Sequence, residues 1–532
     1  TIAYVTSPED DHCAGYQVVD AKGMWIAPGL IDSHMHIEST HATPDHFANA
    51  VLPRGITTIA PDPHEIANVL GMEGVRYMLC AARNLPLRVL VLVPTCVPAV
   101  PHLETTGAYF SHEDVDALLN EPGVIGLAEV MDYWGVIEQS PRISEIVKVG
   151  RRRGAIITGH IRGLHGRELN TYLAAGIESD HEHLTAEGIR ERTRLGMLVE
   201  IRCDNIEAAV DSWLERGYLE NVVFVTDDIP PHQLVQEGHL DQSVRRAIAL
   251  GMDPVEAVRA ATLVPARRLH CYNLGALAPG WIADILVIKD LHSFEVHLTI
   301  SSGIEVTKDG EMIEPLRSPH SPPPAALHSV RIDPPSPDDF VISASGNQAV
   351  AQVIAERGRK MQRRVLPVRH GILAWQEHSE LALAMVWHRH GLNGNRAAAL
   401  VSGSGLCCGA LASTYAHDSH NLVVIGRNPI DMAVAVQALI QSGGGYVAVC
   451  DGQVLALVAL PIAGILADRP VIELARDFRA FTEVTADLGV VDDPIGLLTS
   501  LALPVLPSYR LTDLGLVDVE HQTIIPAFEF VG

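Results

Sequence analysis

The chain first shows chemistry at His34-Met35-His36. On a β-strand, residues two apart face the same way, so both imidazoles enter one space and suit a shared metal ion. Spacing alone is a weak signal. With 26 histidines in 532 residues, chance gives such a pair roughly once, and the spacing recurs at 181/183 and 388/390. Position is a stronger one. His34 and His36 close a first expected strand, Glu129 a fourth and His160 a fifth; His181 follows a sixth and Asp227 an eighth. Barrel enzymes gather their catalytic groups at the C-terminal ends of the strands. Taken singly, each of these residues is as readily a core or capping group. Together, four imidazoles and two carboxylates form a nitrogen and oxygen donor set suited to Zn, Mn or Fe. Six donors exceed the three of a mononuclear catalytic zinc, which implies two ions sharing a carboxylate, with Glu129 as the bridge. Such a pair clamps a hydroxide and lowers the pKa of water towards neutrality. Asp227 would take its proton and pass it on.

The elements that must carry these groups read as eight βα units. Expected strands are 30–36, 57–61, 88–94, 124–130, 155–160, 176–180, 197–202 and 222–226. Helices are expected at 111–120, 241–250 and 254–261. This is the pattern of a (β/α)8 barrel over residues 29–270. No GxGxxG follows the first strand, which argues against an open dinucleotide-binding sheet. Residues 1–28 and 271–316 read as a small flanking β domain. Within it, Val18–Val19 and Met24–Ile26 surround a Lys22–Gly23 turn, and Ala283–Ile288 follows a Pro279–Gly280 turn. Seven prolines in 317–337 mark a connection. Residues 338–532 read as an additional C-terminal α/β domain. It should hold a helix over 429–441 and a hairpin, 446–450 with 453–458, around Asp451-Gly452. The fold class expected is α/β: a TIM-type barrel, a flanking β domain and this C-terminal domain.

Composition narrows the partners. Apolar residues make up 47% and charged residues 19%, and the formal charge is −25. A surface this acidic opposes nonspecific nucleic-acid binding and attachment to an anionic membrane. No apolar run is long enough to span a bilayer, and no basic-then-apolar leader opens the sequence. Eight cysteines without a CxxC are no disulfide framework, so a reducing cytoplasm is expected. Cys407-Cys408 are expected to be buried small hydrophobes.

Pro28-Gly29-Leu30-Ile31-Asp32-Ser33-His34-Met35-His36 resembles the opening strand of the amidohydrolase superfamily. Several further motifs narrow the resemblance to the bacterial and archaeal adenine deaminase family. They are Ile37-Glu38-Ser39, Asp62-Pro63-His64-Glu65-Ile66, Ala128-Glu129-Val130-Met131-Asp132-Tyr133, Thr226-Asp227-Asp228 and Glu237-Gly238-His239. Ala416-His417-Asp418-Ser419-His420-Asn421 and Gly443-Gly444-Gly445 are similar to that family's C-terminal domain. The resemblance covers roughly residues 16–315 and 380–470. It departs at 317–375 and before Thr1, where relatives carry further strands of the flanking sheet. It implies hydrolytic deamination of adenine to hypoxanthine and ammonia at a binuclear Mn or Fe centre, with Zn as a possible substitute. It also implies a Glu bridge where many relatives have a carboxylated Lys. The implied metal ligands are His34, His36, Glu129, His160, His181 and Asp227.

Adenine C6 is a poor electrophile until ring nitrogen N1 is protonated. Hydroxide adds to C6, and Asp227, having taken the hydroxide proton, helps ammonia leave. His64, Glu65, Arg202 and Asp228 are candidates to hold the purine, with Glu65 preferred at the ring nitrogen because a carboxyl group can shuttle a proton there. Each has a plainer reading as a salt bridge or loop cap. His417-Asp418-Ser419-His420 reads as a packing loop in preference to a second metal site or a hydrolase triad, since no G-x-S-x-G surrounds Ser419. His388 and His390 read as hydrogen-bonding residues. The alternatives are another amidohydrolase reaction, on a different purine, a pyrimidine or a cyclic amide, and a non-catalytic barrel scaffold. A homo-oligomer acting on a small purine is expected.

Overall fold

The computed structural model describes residues 1–7, 18–182, 184–217 and 221–531. Cys13, His183 and residues 8–17 of the expected flank lie outside the described residues. The chain divides into two compact units. The first comprises Thr1–Pro63, Met78–Pro94 and Val115–His320; the second comprises His64–Tyr77, Thr95–Asp114 and the residues from Ser321 on.

In the first unit, short parallel strands follow one another along the chain. β2 (Leu30–Met35), β3 (Ile56–Pro61) and β4 (Arg88–Val89) form one ladder. β5 (Val91–Val93), β6 (Val124–Val130) and β7 (Ile156–Gly159) form a second. β8 (Ser179–Asp180), β9 (Leu198–Ile201) and β10 (Val222–Phe224) form a third. Single backbone bonds join the ladders: Leu90 N–H to the Ile59 carbonyl, and Glu178 N–H to that of Ile157. After β10 the chain returns to the start, where Asp227 N–H donates to the His34 carbonyl at 3.2 Å. β2 and β3 are buried along their whole length, as parallel strands covered on both faces are. Gly29 is obligatory beside them, because a Cβ there would collide with the Thr57 side chain.

Two expected strands differ in detail. The run 88–94 breaks at Leu90, whose N–H is drawn to Ile59. The run 176–180 shortens to Ser179–Asp180, because Gly176 at φ +106° still belongs to the turn leaving the preceding helix. Helices form at His112–Leu118, Leu240–Ala249 and Pro254–Ala260. Beside the parallel strands lies a five-stranded antiparallel sheet, β1 (Trp25–Pro28), β11 (Ile285–Ile288), β12 (Val296–Ser301), β13 (Ile304–Lys308) and β14 (Glu311–Met312). The strand expected at Val18–Val19 is not formed; both residues are exposed and have no ladder partner.

The second unit is built on a ten-stranded sheet. Its strands include β15 (Gln348–Ala355), β16 (Lys360–Arg369), β18 (Leu381–Trp387), β19 (Arg396–Ser402), β20 (Ala410–Ser413), β21 (Leu422–Gly426), β22 (Gly445–Cys450) and β23 (Gln453–Ala459). The pairing is antiparallel except where β15 lies parallel to β19. The helix Pro429–Ser442 starts at an Asn428 cap with Pro at its first turn and stops at Gly443, φ +79°. Its Met432, Val436 and Leu439 join Trp375, Trp387 and Leu400 in one buried core. The β22–β23 hairpin turns through Asp451-Gly452 with positive φ at both residues, the geometry that Asp-Gly favours. Two segments distant in sequence complete this unit: Gly107 N–H donates to the Asn68 carbonyl at 2.7 Å, and Phe110 N–H to that of Val97 at 2.9 Å. Among the described residues no helix is long and apolar enough to cross a membrane.

Candidate active site

β2 aims His34 and His36 from the same face, and both are buried. His36 Nδ1 lies 2.9 Å from the Asp62 carbonyl oxygen. A carbonyl can only accept, so Nδ1 carries the proton and Nε2 of the neutral ring presents a lone pair. That lone pair stands 3.0 Å from Glu129 Oε1 and 3.1 Å from Asp227 Oδ1. A lone pair and two carboxylate oxygens gathered at this distance form a donor set that a shared cation would bind. His34 Nε2 repeats the arrangement, 3.3 Å from Glu129 Oε1 and 3.5 Å from Asp227 Oδ1, without forming a hydrogen bond.

The other oxygen of Glu129 faces the opposite way. Its Oε2 is 2.7 Å from His160 Nδ1 and 3.6 Å from His181 Nε2, and those two nitrogens are 3.0 Å apart. One carboxylate thus turns an oxygen to each histidine pair. Donor atoms of His34, Glu129, His181 and Asp227 all lie within 4.8 Å of one another. The residues present fit divalent ions bound through nitrogen and oxygen.

The site's electrostatics point the same way. Burial opposes charge on His34, but the facing carboxylates of Asp227 and Glu129 outweigh it and push the imidazole up to about 10. Burial is likewise outweighed at His160, raised to about 9 by Glu182 and Glu129. The carboxylates of the cluster draw positive charge to themselves. Arg202 Nη1 lies 2.6 Å from Asp227 Oδ2, and its Nη2 is 2.9 Å from Asp204. Asp228 is exposed and accepts the Ser39 hydroxyl.

Sequence reading missed four residues here. Asp62 acts through its backbone carbonyl, which no side-chain pattern reveals. Glu182 lies 3.4 Å from His160 Nε2 and binds Arg162; burial would raise it, but His160 and Arg162 bring it down to about 2. Its place next to His181 was the available signal. Asp32 continues the alternation 32, 34, 36 onto the same face. It accepts the Thr226 hydroxyl at 2.6 Å, and burial raises it to about 7. Tyr172 donates to the Val130 carbonyl at 2.7 Å, bracing the end of β6 just beyond Glu129.

A second polar cluster is formed by residues of the second unit. Glu65, in the first turn of the helix His64–Leu70, is fully buried. Its Oε1 accepts the Tyr415 hydroxyl at 3.0 Å and lies 2.9 Å from His417 Nδ1; its Oε2 is bonded to His420 Nε2. His64 Nε2 stands 3.6 Å from Glu65 and 3.8 Å from Asp418. The 417–420 loop is therefore a source of imidazoles for Glu65. Ser419 offers its carbonyl to His390 Nε2–H at 2.9 Å. Cys407 is exposed and Cys408 half-buried, which corrects the expectation of buried thiols. They lie between β19 and β20 in a loop whose Gly403, Gly405 and Gly409 all have positive φ, outside the strands.

A chain that sets imidazoles at the end of an opening strand against carboxylates from later strands has the hallmarks of a metal-dependent hydrolase. Residues 25–306 match the Amidohydrolase family, and residues 358–523 match the Adenine deaminase C-terminal domain. The chain is 39% identical to adenine deaminase 2 of Carboxydothermus hydrogenoformans, covering 96% of this chain and 90% of that one. It is 39% identical to the adenine deaminase of Methanothrix thermoacetophila over the same shares. With that of Moorella thermoacetica the identity is 41%, over 94% and 87%. The chain belongs to the adenine deaminase family of amidohydrolases.

Proposed function

We propose that this chain hydrolyses adenine to hypoxanthine and ammonia. The observation that carries the reading is Glu129, which turns one oxygen to His34 and His36 and the other to His160 and His181, in a member of that family. The six residues His34, His36, Glu129, His160, His181 and Asp227 would hold two divalent ions, and their carboxylates suit Mn or Fe, with Zn also accommodated. Bound there, the ions supply Lewis acidity and lower the pKa of water.

The chain's own groups manage the protons. One proton of water goes to ring N1 by way of Glu65, and the remaining hydroxyl adds to C6. Asp227 moves the hydroxyl proton to the amino group, the C6–N bond breaks, and ammonia departs as C6=O forms. Water and adenine are fully accounted for in the two products. Arg202 keeps Asp227 ionised between transfers, as burial of that carboxylate is outweighed by His181, His34, His36 and Arg202. His64, Arg202 and Asp228 complete the polar contacts to the purine.

In this reading the parallel strands close into a (β/α)8 barrel over residues 29–270. The further domains of this reading are the small β domain of 1–28 and 271–316, joined by the Pro-rich 317–337 to the C-terminal domain of 338–532. We infer that the enzyme is a cytoplasmic homo-oligomer. A panel of adenine, guanine, cytosine and a cyclic amide tests the substrate. Turnover of adenine above the others is expected; preference for any other overturns the assignment.

A further inference from the structure

We propose that Tyr415 and His420 are positioning residues for the reaction, holding Glu65 as an oriented carboxylate that accepts and returns a proton. This rests on the reading of Glu65 given above.

The tautomer of His420 is fixed by its own loop. Ala416 N–H donates to His420 Nδ1 at 3.2 Å, so Nδ1 is an acceptor. The proton of the neutral ring is then on Nε2, and Nε2 faces Glu65 Oε2. Burial lowers the imidazole to about 4. His420 is therefore a neutral, one-way donor at physiological pH and does not trade its proton. The loop is held in turn by Arg389, buried and donating to the His420 carbonyl at 2.5 Å and to those of Ser329 and Ala463 at 3.1 and 2.9 Å. Tyr415 donates to the other carboxylate oxygen at 3.0 Å. Its backbone is fixed as well, by its N–H to the Ser413 hydroxyl at 2.9 Å.

A buried carboxylate with a fixed donor on each oxygen cannot rotate, and stays ionised where burial alone would protonate it. Burial raises Glu65, but His417, His420 and His64 outweigh it and hold the group well below the usual carboxylate range. His417, at 17% side-chain exposure, is more open to its surroundings than His64 or His420. The titratable groups facing Glu65 are His64 on its own helix and Tyr415, His417 and His420 on the facing loop. Asp418 lies 3.6 Å from His417 Nδ1.

The test compares Y415F, H420A and H420Q with E65Q in the metal-loaded full chain, following kcat, KM, metal content and the pH profile of kcat. Losing one donor raises the pKa of the carboxylate. In Y415F and H420A the acidic limb should therefore move up by about one pH unit, and kcat at neutral pH should fall about tenfold with little change in KM. Metal content should stay at the wild-type level. H420Q, which keeps an amide donor near the Nε2 position, should recover much of the loss. Wild-type kcat and an unmoved acidic limb in Y415F and H420A overturn the proposal, as does a fall in kcat with the limb unmoved. Wild-type turnover in E65Q is a different failure, since it removes Glu65 itself from the reaction.

Discussion

His36 Nδ1–H donates a hydrogen bond to the Asp62 carbonyl at 2.9 Å, and this contact decides what the rest of the ring can do. With Nδ1 protonated, Nε2 is a lone pair 3.0 Å from Glu129 and 3.1 Å from Asp227. A metal-ligating histidine commonly has its second nitrogen fixed in this way. β2 and the loop after β3 thus fix the orientation of His36, with Nε2 turned to the two carboxylates.

Glu129→Gln should bring activity to background and lower the metal content of the purified protein. An amide nitrogen would replace one of the two oxygens that face the histidine pairs. Elemental analysis with an ammonia assay checks both outcomes. Full activity would remove Glu129 from the bridging role.

His34→Ala should lower the metal bound per chain and reduce activity in parallel. The ring it removes is fully buried, 3.3 Å from Glu129 and 3.5 Å from Asp227. A metal stoichiometry identical to wild type would show that His34 is no ligand.

Glu65→Gln should lower turnover by about 10²–10⁴-fold, the range for loss of a proton-transfer group, with metal content unchanged. Steady-state kinetics beside elemental analysis separates this from loss of the metal. Loss of metal in this variant would contradict the assignment.

The convergence of the candidate metal-site side chains was legible because they sit at strand ends, in a two-residue alternation that reaches from Asp32 to His36. The backbone carbonyl of Asp62 was not, since side-chain identity says nothing about where a carbonyl points. The partners of Glu65 were hidden by distance: Tyr415 and His420 lie 350 and 355 residues further along. Their motif looked like a packing loop until the fold brought it to a buried carboxylate. The C-terminal helix and hairpin were visible through Pro429, Gly443 and Asp451-Gly452. The large sheet beside them was not, because β15 pairs across long sequence separations with β19 and with the strand Phe528–Val531.

Glu104 provides a pH test of stability in the second unit. Its carboxyl group is fully buried, accepts Val100 N–H at 3.1 Å, and is raised well above its usual range by burial and by Asp418. The folded state then holds a proton that the unfolded state releases above its ordinary carboxylate pKa, so this group makes stability fall as pH rises from about 4.5. Glu104→Gln keeps an acceptor for Val100 and removes the titration. Its melting temperature relative to wild type should rise with pH above that point. A difference that stays constant from pH 5 to pH 8 would show that Glu104 ionises normally.

The central claim is that this donor set, once loaded with divalent ions, deaminates adenine. The direct measurement strips the protein of metal, restores it with Mn²⁺, and follows adenine loss by ultraviolet absorbance together with ammonia release. Hypoxanthine and ammonia formed in equal amounts, only after metal is restored and saturating at two ions per chain, is the predicted result. Metal bound at that stoichiometry without loss of adenine would contradict the assigned reaction, and turnover undiminished in the stripped protein would contradict the metal centre.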